Sequence, residues 1–325
     1  MVSYRPAPGR LACDAALALM LPAAMQAGQA LRVDGSVSPR LLGALPSIQA
    51  VFASWGLPRV PVTTRRRRTP WRRPRRGTAC FFSGGVDSFY TVLTRRAELT
   101  HLIFVHGYDM PLDSELREPA ARVAREVAAA LGLELIEVET DVRHLIDRYV
   151  SWELCHGAAL ASVGLLFQER LRRILIPSTH SYADLTQWGS HPLLDPLWST
   201  ELTEFVHDGA HATRVEKCFA LADSDLALRH LRVCWENRDG RYNCGECEKC
   251  LRTMISLEAA GVLERCLTLP HPIDTEAVAG MTLGGGNKRA YATQNLAALE
   301  QSGDHSELRA ALRTAISMSS KGAAA

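Results

Sequence analysis

The chain has 325 residues, enough to bury one large hydrophobic core or one core with a small satellite domain. Hydrophobic residues make up 47% and charged residues 22%, ordinary values for a soluble globular protein, and no apolar run reaches the length of a membrane span. The net charge is +2, but eight arginines lie between Arg65 and Arg76. The rest of the chain carries 29 basic and 35 acidic residues, a net charge of −6. These values argue against a membrane-spanning protein and against a broadly basic nucleic-acid binder.

Residues 1–62 form an N-terminal segment with its own pattern. Residues 11–25 are apolar and follow two arginines, as in a signal peptide, but Asp14 interrupts the would-be apolar core. We therefore expect an amphipathic helix and keep a signal peptide as the alternative. A short strand is predicted at residues 30–33, a helix from Ser38 onward, and a second short strand at residues 59–62. Nothing in the segment suggests chemistry, so we predict a structural role.

Residues 63–77 read as a solvated linker, because prolines and a glycine stand among the arginines. The alternative is a patch that tracks the phosphates of a nucleic acid, with Trp71 as a stacking ring. Only four of the 37 basic residues are lysines, so the chain is rich in arginine throughout. The run is therefore weak evidence for nucleic acid, and we expect no strong binding of it.

From Thr78 the pattern alternates between strands and helices. The strands are continuous apolar runs, which are typical of a parallel sheet covered on both faces. We predict an α/β fold in which helices sandwich a parallel sheet. The predicted strands cover residues 78–82, 99–105, 133–138 and 173–177, and the predicted helices cover residues 117–131 and 152–171.

The first of these strands leads into Ser83-Gly84-Gly85-Val86-Asp87-Ser88, which we call the Ser83–Ser88 loop. A tight glycine turn that opens a helix leaves free backbone N–H groups at the helix N-terminus, where they can bind an anion. Gly84 and Gly85 allow close approach of a ligand, because neither has a Cβ. Ser83 and Ser88 add hydroxyl donors for phosphate oxygens, and Asp87 can cap the helix or help to hold magnesium.

The Ser83–Ser88 loop resembles the PP-loop of the ATP pyrophosphatases. The resemblance implies that the loop binds the pyrophosphate of ATP and its Mg²⁺ ion. It also implies that the backbone after the second strand, at His106-Gly107-Tyr108-Asp109, faces the adenosine. A Walker-type phosphate loop is absent from the sequence.

Ligands of parallel sheets sit at the carboxyl ends of the strands, and two further candidates follow the fourth predicted strand. Residues 178–182 contain His180, and residues 187–195 form a polar and aromatic loop with His191 and Asp195. A long loop beside a nucleotide site is often a substrate wall. His180, His191 and Asp195 are therefore candidate acid–base or magnesium residues.

Four of the nine cysteines lie within 17 residues, at Cys234, Cys244, Cys247 and Cys250. This spacing is typical of a tetrahedral zinc site in a reducing compartment rather than of a disulfide framework. An iron–sulfur cluster is the alternative, and sulfur carriage by these thiols is a weaker one. The sequence therefore predicts a zinc knuckle at residues 234–250 and a cytoplasmic protein.

The tetrad followed by Leu251-Arg252 narrows the resemblance to 7-cyano-7-deazaguanine synthase-like proteins. The similarity covers roughly residues 78–260. It has departures: the first cysteine gap is longer, and Pro177-Ser178-Thr179-His180 stands where the family has Pro-Gly-Arg-Asn. We accordingly divide the chain into an ATP pyrophosphatase domain at 78–270 and a helical tail at 271–325, where a glycine triplet at 284–286 reads as a hinge.

The resemblance implies an ATP-dependent ligase that adenylates a carboxylate or amide oxygen of a small molecule, releases pyrophosphate and lets a nitrogen nucleophile displace AMP. Its expected cofactors are ATP, Mg²⁺ and Zn²⁺. Two alternatives stay open: an enzyme that modifies tRNA, another nucleic acid or a protein, and a nucleotide-binding module without catalysis. The sequence does not identify the acceptor and is compatible with a homodimer.

Overall fold

The computed structural model describes residues 12–68, 77–284 and 287–321. Within them the chain forms seven strands and twelve α-helices. The strands are β1 (Leu31–Val37), β2 (Val62–Arg66), β3 (Gly77–Phe81), β4 (His101–His106), β5 (Glu134–Glu139), β6 (Leu171–Pro177) and β7 (Glu204–Asp208). The helices are α1 (Ala12–Gln26), α2 (Pro39–Ser54), α3 (Val86–Thr94), α4 (Arg117–Ala130), α5 (Val142–Ile146), α6 (Trp152–Leu166), α7 (Arg214–Leu221), α8 (Asp225–His230), α9 (Glu248–Ala259), α10 (Thr275–Ala279), α11 (Lys288–Gln301) and α12 (Ser306–Lys321).

Five parallel strands form the central sheet in the order β5-β4-β3-β6-β7. Strand β3 lies in the middle, so the Ser83–Ser88 loop leaves the sheet at its centre. All five carboxyl ends meet at one edge, as parallel strands require. The predicted α/β fold with a parallel sheet between helices is confirmed.

The two faces of the sheet bury separate hydrophobic clusters because successive side chains of a strand point in opposite directions. On β3, Cys80 packs with helices α3, α4, α7 and α9, whereas Ala79 and Phe81 pack with α1, α2 and α6. The faces of β4 divide in the same way, with Phe104 on the first side and Ile103 on the second. Continuous apolar strands therefore result from burial on both faces, as predicted.

Helix α1 is buried on almost every side, which differs from the amphipathic helix predicted for this segment. Asp14 is fully buried there because it has polar partners. Its Oδ1 accepts a 2.8 Å hydrogen bond from the Ser38 backbone N–H, and its Oδ2 accepts one of 2.9 Å from Gln168 Nε2. The Arg67 guanidinium lies 2.6 Å from the same oxygen. A charge in the first turn of an apolar helix thus joins three distant segments.

The first half of the predicted linker is folded. Strand β2 begins at Val62, later than the predicted strand at 59–62, and continues through Arg66, paired in parallel with β1. Part of the segment predicted as a linker is therefore a strand, and Arg65 and Arg66 are both exposed on it. Trp71 and the last four arginines of the run lie outside the described residues.

The C-terminal helices pack on α9. Asn295 of α11 donates a 2.9 Å hydrogen bond to the Arg252 carbonyl and lies 2.6 Å from the Ser256 hydroxyl. The predicted helical tail is present as α10, α11 and α12, and the glycine triplet lies mostly outside the described residues. Among the helices of the described ranges, none has the length and apolar character that crossing a membrane requires.

Candidate functional site: a cationic cluster beside a glycine loop

The Ser83–Ser88 loop turns the chain from β3 into α3. Gly84 has a φ of +78°, a left-handed conformation that favours glycine. Gly85 is the N-cap of α3, and because glycine has no side chain it cannot accept hydrogen bonds from the N–H groups of the first turn. The first N–H groups of the helix therefore have no capping acceptor, and they give this corner a positive partial charge. The hydroxyl of Ser88 donates to the Gly85 carbonyl at 2.9 Å and so rigidifies the turn.

Asp87, in the first turn of α3, is held by two cations from α7. Its Oδ2 accepts a 2.8 Å hydrogen bond from Arg214, and its Oδ1 lies 3.1 Å from Lys217 Nζ. Burial opposes ionisation of Asp87, but the charges of Arg214 and Lys217 outweigh it and lower the pKa of this carboxyl. Both oxygens are engaged, so the suggestion that Asp87 helps to hold magnesium stays a prediction.

Lys217 connects the loop to the end of β6. Its ammonium is 1% exposed and donates to the Ser178 carbonyl at 2.6 Å and to the Ser178 hydroxyl at 3.1 Å, in addition to its contact with Asp87. A fully buried lysine is rare unless it is paired. Burial lowers the pKa of Lys217, and the charge of Asp87 opposes that effect.

Two more cations reach this region from α9. Lys249 lies close enough for its charge to help lower the pKa of Asp87. The Arg252 guanidinium lies 4.5 Å from the centre of the Tyr291 ring, and its NH1 is 3.3 Å from a Glu248 oxygen. We call Arg214, Lys217, Lys249 and Arg252 the cationic cluster. The carboxylates paired with it are Asp87 and Glu248, so positive charge is in excess.

His180 follows β6 and is 8% exposed. Its Nδ1 lies 2.8 Å from the Tyr291 hydroxyl and 2.9 Å from Asn287 Nδ2. Burial is the main reason that the pKa of His180 falls to about 4, and the charge of Arg214 adds to the shift. The imidazole is therefore neutral at neutral pH. Tyr291 connects His180 to the cationic cluster, because it contacts His180, Arg252 and Arg214. His180 remains a candidate acid–base residue, and it adds no charge to the cluster.

Asp195 is fully buried and belongs to a different group. Its Oδ2 accepts hydrogen bonds of 2.7 Å from the Ser190 hydroxyl and from His207 Nδ1, and its Oδ1 lies 3.4 Å from the His191 N–H. These bonds fold the 187–195 loop against β7. The loop also reaches His180, since the rings of Trp188 and His180 lie 5.3 Å apart at 83°. An acid–base role for Asp195 stays a prediction.

The segment after β4 has mainly structural side chains. His106 lies 3.2 Å from Glu137 and accepts a 3.0 Å hydrogen bond from Arg117 Nε. The buried Tyr108 hydroxyl donates to the Ala159 carbonyl at 2.8 Å. Gly107 has a φ of +93°, and a Cβ there would meet the Thr140 carbonyl oxygen. Only Asp109 of the four is exposed, so a contact with adenosine, which was predicted for the backbone, stays a prediction.

The four cysteines form a closed group. Cys234, Cys244, Cys247 and Cys250 are all buried, and their sulfur atoms lie within 4.8 Å of one another. Three of the sulfur pairs are 3.5, 3.8 and 3.9 Å apart. Thiolates about 2.3 Å from a tetrahedral ion would lie about 3.8 Å from one another. This donor set can hold a metal ion, as the sequence spacing predicted.

The surroundings of the cysteines support that arrangement. The Cys247 N–H donates to the Cys244 sulfur at 3.3 Å, and the Asn237 N–H donates to the Cys234 sulfur at 3.2 Å. Asn243 accepts hydrogen bonds from two backbone N–H groups, including that of Cys234, and donates to two carbonyls. Such contacts orient ligands and stabilise negative charge on sulfur.

Helix α9 connects the two groups. Its N-cap is Cys247, Cys250 lies in its first turn, and Lys249 and Arg252 lie between and just after these cysteines. At 3.6 residues per turn, neighbouring positions point in different directions, so the cysteines and the cations face different partners. The helix therefore joins the cysteine group to two cations whose charges interact with that of Asp87.

Sequence reasoning missed Arg214, Lys217 and Tyr291 as site residues. A signal existed for the first two, because they lie three residues apart at the start of a helix whose N-cap Thr213 and Glu216 form a capping box. The preceding strand β7 was not predicted, since five residues that include Glu204 and Asp208 do not form an apolar run. Nothing local marks Tyr291.

No protein-family model matches the chain, and no curated protein is significantly similar to it in sequence.

Proposed function

We propose that the protein is an ATP-dependent ligase of the PP-loop ATP pyrophosphatase type. The observation that carries this proposal is the cationic cluster beside the uncapped Ser83–Ser88 loop. Arg214 and Lys217 are 5% and 1% exposed, and the cluster has more positive charges than partners. Asp87 supplies one negative charge for the two buried cations, and a polyphosphate would balance the remaining positive charge. The resemblance of the loop to a PP-loop supports ATP as the source.

The proposed reaction has two steps. An oxygen of a carboxylate or amide attacks the α-phosphorus of ATP, and the bond to the bridging oxygen breaks so that pyrophosphate leaves with the electron pair. A nitrogen nucleophile then attacks the activated carbon, AMP leaves with the electron pair of the C–O bond, and the nitrogen loses a proton. The loop N–H groups would stabilise the charge that develops on pyrophosphate, and Lys217, whose N–H groups are bonded to Asp87 and Ser178, would add its positive charge without direct contact. Magnesium would enter with ATP and neutralise part of that charge.

We further propose that the cysteine cluster binds one zinc ion with a structural role. Four thiolates that are buried and have N–H donors favour zinc, and a site with four protein ligands has no open position for catalysis. Its function would be to hold α9, and with it Lys249 and Arg252, against the loop.

Calorimetric titration with ATP and with pyrophosphate tests the nucleotide site. We expect Lys217→Met to weaken pyrophosphate binding at least tenfold, since a buried positive charge beside the loop is lost. Arg172→Met, at the exposed amino end of β6, is the matched control and should bind as the wild type does. Turnover is then tested with ATP and fractions of a cell extract as the acceptor source. Formation of ADP and phosphate in place of AMP and pyrophosphate would reject the proposed mechanism.

A further inference from the structure

Three buried donor atoms in one region lack a hydrogen-bond partner within the described ranges: Arg214 Nε, Arg252 Nε and His180 Nε2. All three side chains surround Tyr291. Its hydroxyl lies 2.8 Å from His180 Nδ1, and the guanidinium carbons of Arg252 and Arg214 lie 4.5 Å and 6.0 Å from its ring centre. A buried donor without a partner costs free energy, so several of them in one region indicate a ligand with acceptor oxygens.

The hydrogen bonds around His180 decide which nitrogen carries the proton. Asn287 Nδ2 donates to the Asp184 carbonyl, which fixes this amide with its nitrogen toward His180. The second hydrogen of the amide then points to His180 Nδ1, 2.9 Å away. Nδ1 is therefore an acceptor. The neutral imidazole carries its proton on Nε2, and that buried N–H is a donor without a partner.

Arg214 links this region to the Ser83–Ser88 loop. One of its terminal nitrogens holds Asp87 of the loop, while its Nε lies on the side that has no protein partner. The loop and the region around Tyr291 thus share one guanidinium. In ATP the α- and β-phosphates are likewise adjacent and share one oxygen.

We infer that His180, Arg252 and Tyr291 form a second subsite, which binds the phosphate of the AMP half of the nucleotide. This inference rests on the proposed function and divides its site in two. The loop and Lys217 take the pyrophosphate half, and the subsite around Tyr291 takes the α-phosphate. A neutral N–H donor together with an arginine stabilises charge on AMP as it leaves. Tyr291 is a positioning residue, since it orients His180 and supports Arg252.

The test uses the full-length protein and measures binding of AMP and of pyrophosphate separately by calorimetry. His180→Asn keeps an amide near the Nδ1 position and loses the Nε2 donor, whereas His180→Gln can place an amide N–H near Nε2. We expect His180→Asn and Arg252→Lys to weaken AMP binding about ten- to a hundredfold, with pyrophosphate binding changed less than threefold. His180→Gln should restore most of the lost affinity. Arg313→Lys, in an exposed ion pair of α12, is the control.

The outcomes separate the two proposals. AMP binding that is unchanged in His180→Asn and Arg252→Lys, with pyrophosphate binding still weakened by Lys217→Met, would reject the subsite and leave the proposed function in place. Loss of AMP binding in these variants without any pyrophosphate binding by the wild type would support the subsite and reject the proposed function. Binding of neither ligand by the folded wild type would reject both. Circular dichroism spectra and thermal unfolding identify variants that fail to fold, and for those Tyr291→Phe provides the milder change.

Discussion

The carboxylate of Asp87 and the guanidinium of Arg214 meet at 2.8 Å although 127 residues separate them in the chain. Asp87 opens the helix after the central strand, and Arg214 opens the helix after the edge strand β7. Their contact joins two helices on the same face of the sheet. It also keeps a buried arginine compensated while the site is without ligand.

Removal of the Asp87 carboxylate should therefore be costly. Asp87→Ala leaves Arg214 and Lys217 buried without their shared partner, and we expect it to lower the free energy of unfolding by roughly 3–5 kcal/mol. Urea denaturation measures the change. Asp34→Ala breaks an exposed ion pair of similar length with Arg32 and should cost less than about 1 kcal/mol. Equal costs in the two variants would show that the Asp87 contacts do not stabilise the fold.

The lowered pKa of His180 predicts a pH dependence of stability. The folded protein binds this proton only near pH 4, whereas the unfolded chain binds it near the ordinary histidine value of about 6.5. Between these values the unfolded state holds more protons, so stability falls as the pH is lowered from about 6.5 to 4. The loss attributable to His180 should be of order 3 kcal/mol. His180→Asn, which does not titrate, should show a flatter curve in urea denaturation, and parallel curves would contradict the assignment.

Metal removal should unfold the region around α9. Cys247→Ser removes one of four ligands, and we expect metal content and thermal stability to fall together because binding energy at such sites is folding energy. Elemental analysis should find about one zinc per chain in the wild type. Cys13→Ser, a cysteine outside the cluster, should change neither quantity. Iron with acid-labile sulfide, and no zinc, would overturn the zinc assignment.

Among the first four arginines of the run, we expect Arg67 to stabilise the fold and the other three to contribute little. Arg67→Ala removes the cation beside the fully buried Asp14 and should cost roughly 3 kcal/mol of unfolding free energy. Replacement of the exposed Arg65, Arg66 and Arg68 together should cost less than about 1 kcal/mol. Chemical denaturation of the two variants checks this, and a larger effect of the triple variant would contradict it.

The sequence was sufficient for four of the five strands of the central sheet and for the cysteine cluster, because these depend on local patterns. Apolar runs such as residues 78–82 and cysteine spacing are visible in short windows. The partners of Asp87 were not visible, since ion pairs between helices depend on how distant segments pack. Asp14 shows the same limit: its position in an apolar helix was noted, but its partners Ser38, Gln168 and Arg67 come from elsewhere in the fold.

The participation of α11 has a practical consequence for anyone who shortens this chain. A boundary at residue 270 would follow the sequence pattern, yet it would discard Tyr291 and Asn287, which hold the His180 imidazole. It would also remove Asn295, which donates a hydrogen bond to the Arg252 carbonyl. Such a fragment would keep the loop and all four cysteines while losing part of the proposed binding surface. A shortened chain that keeps the whole proposed binding surface must therefore extend through α11.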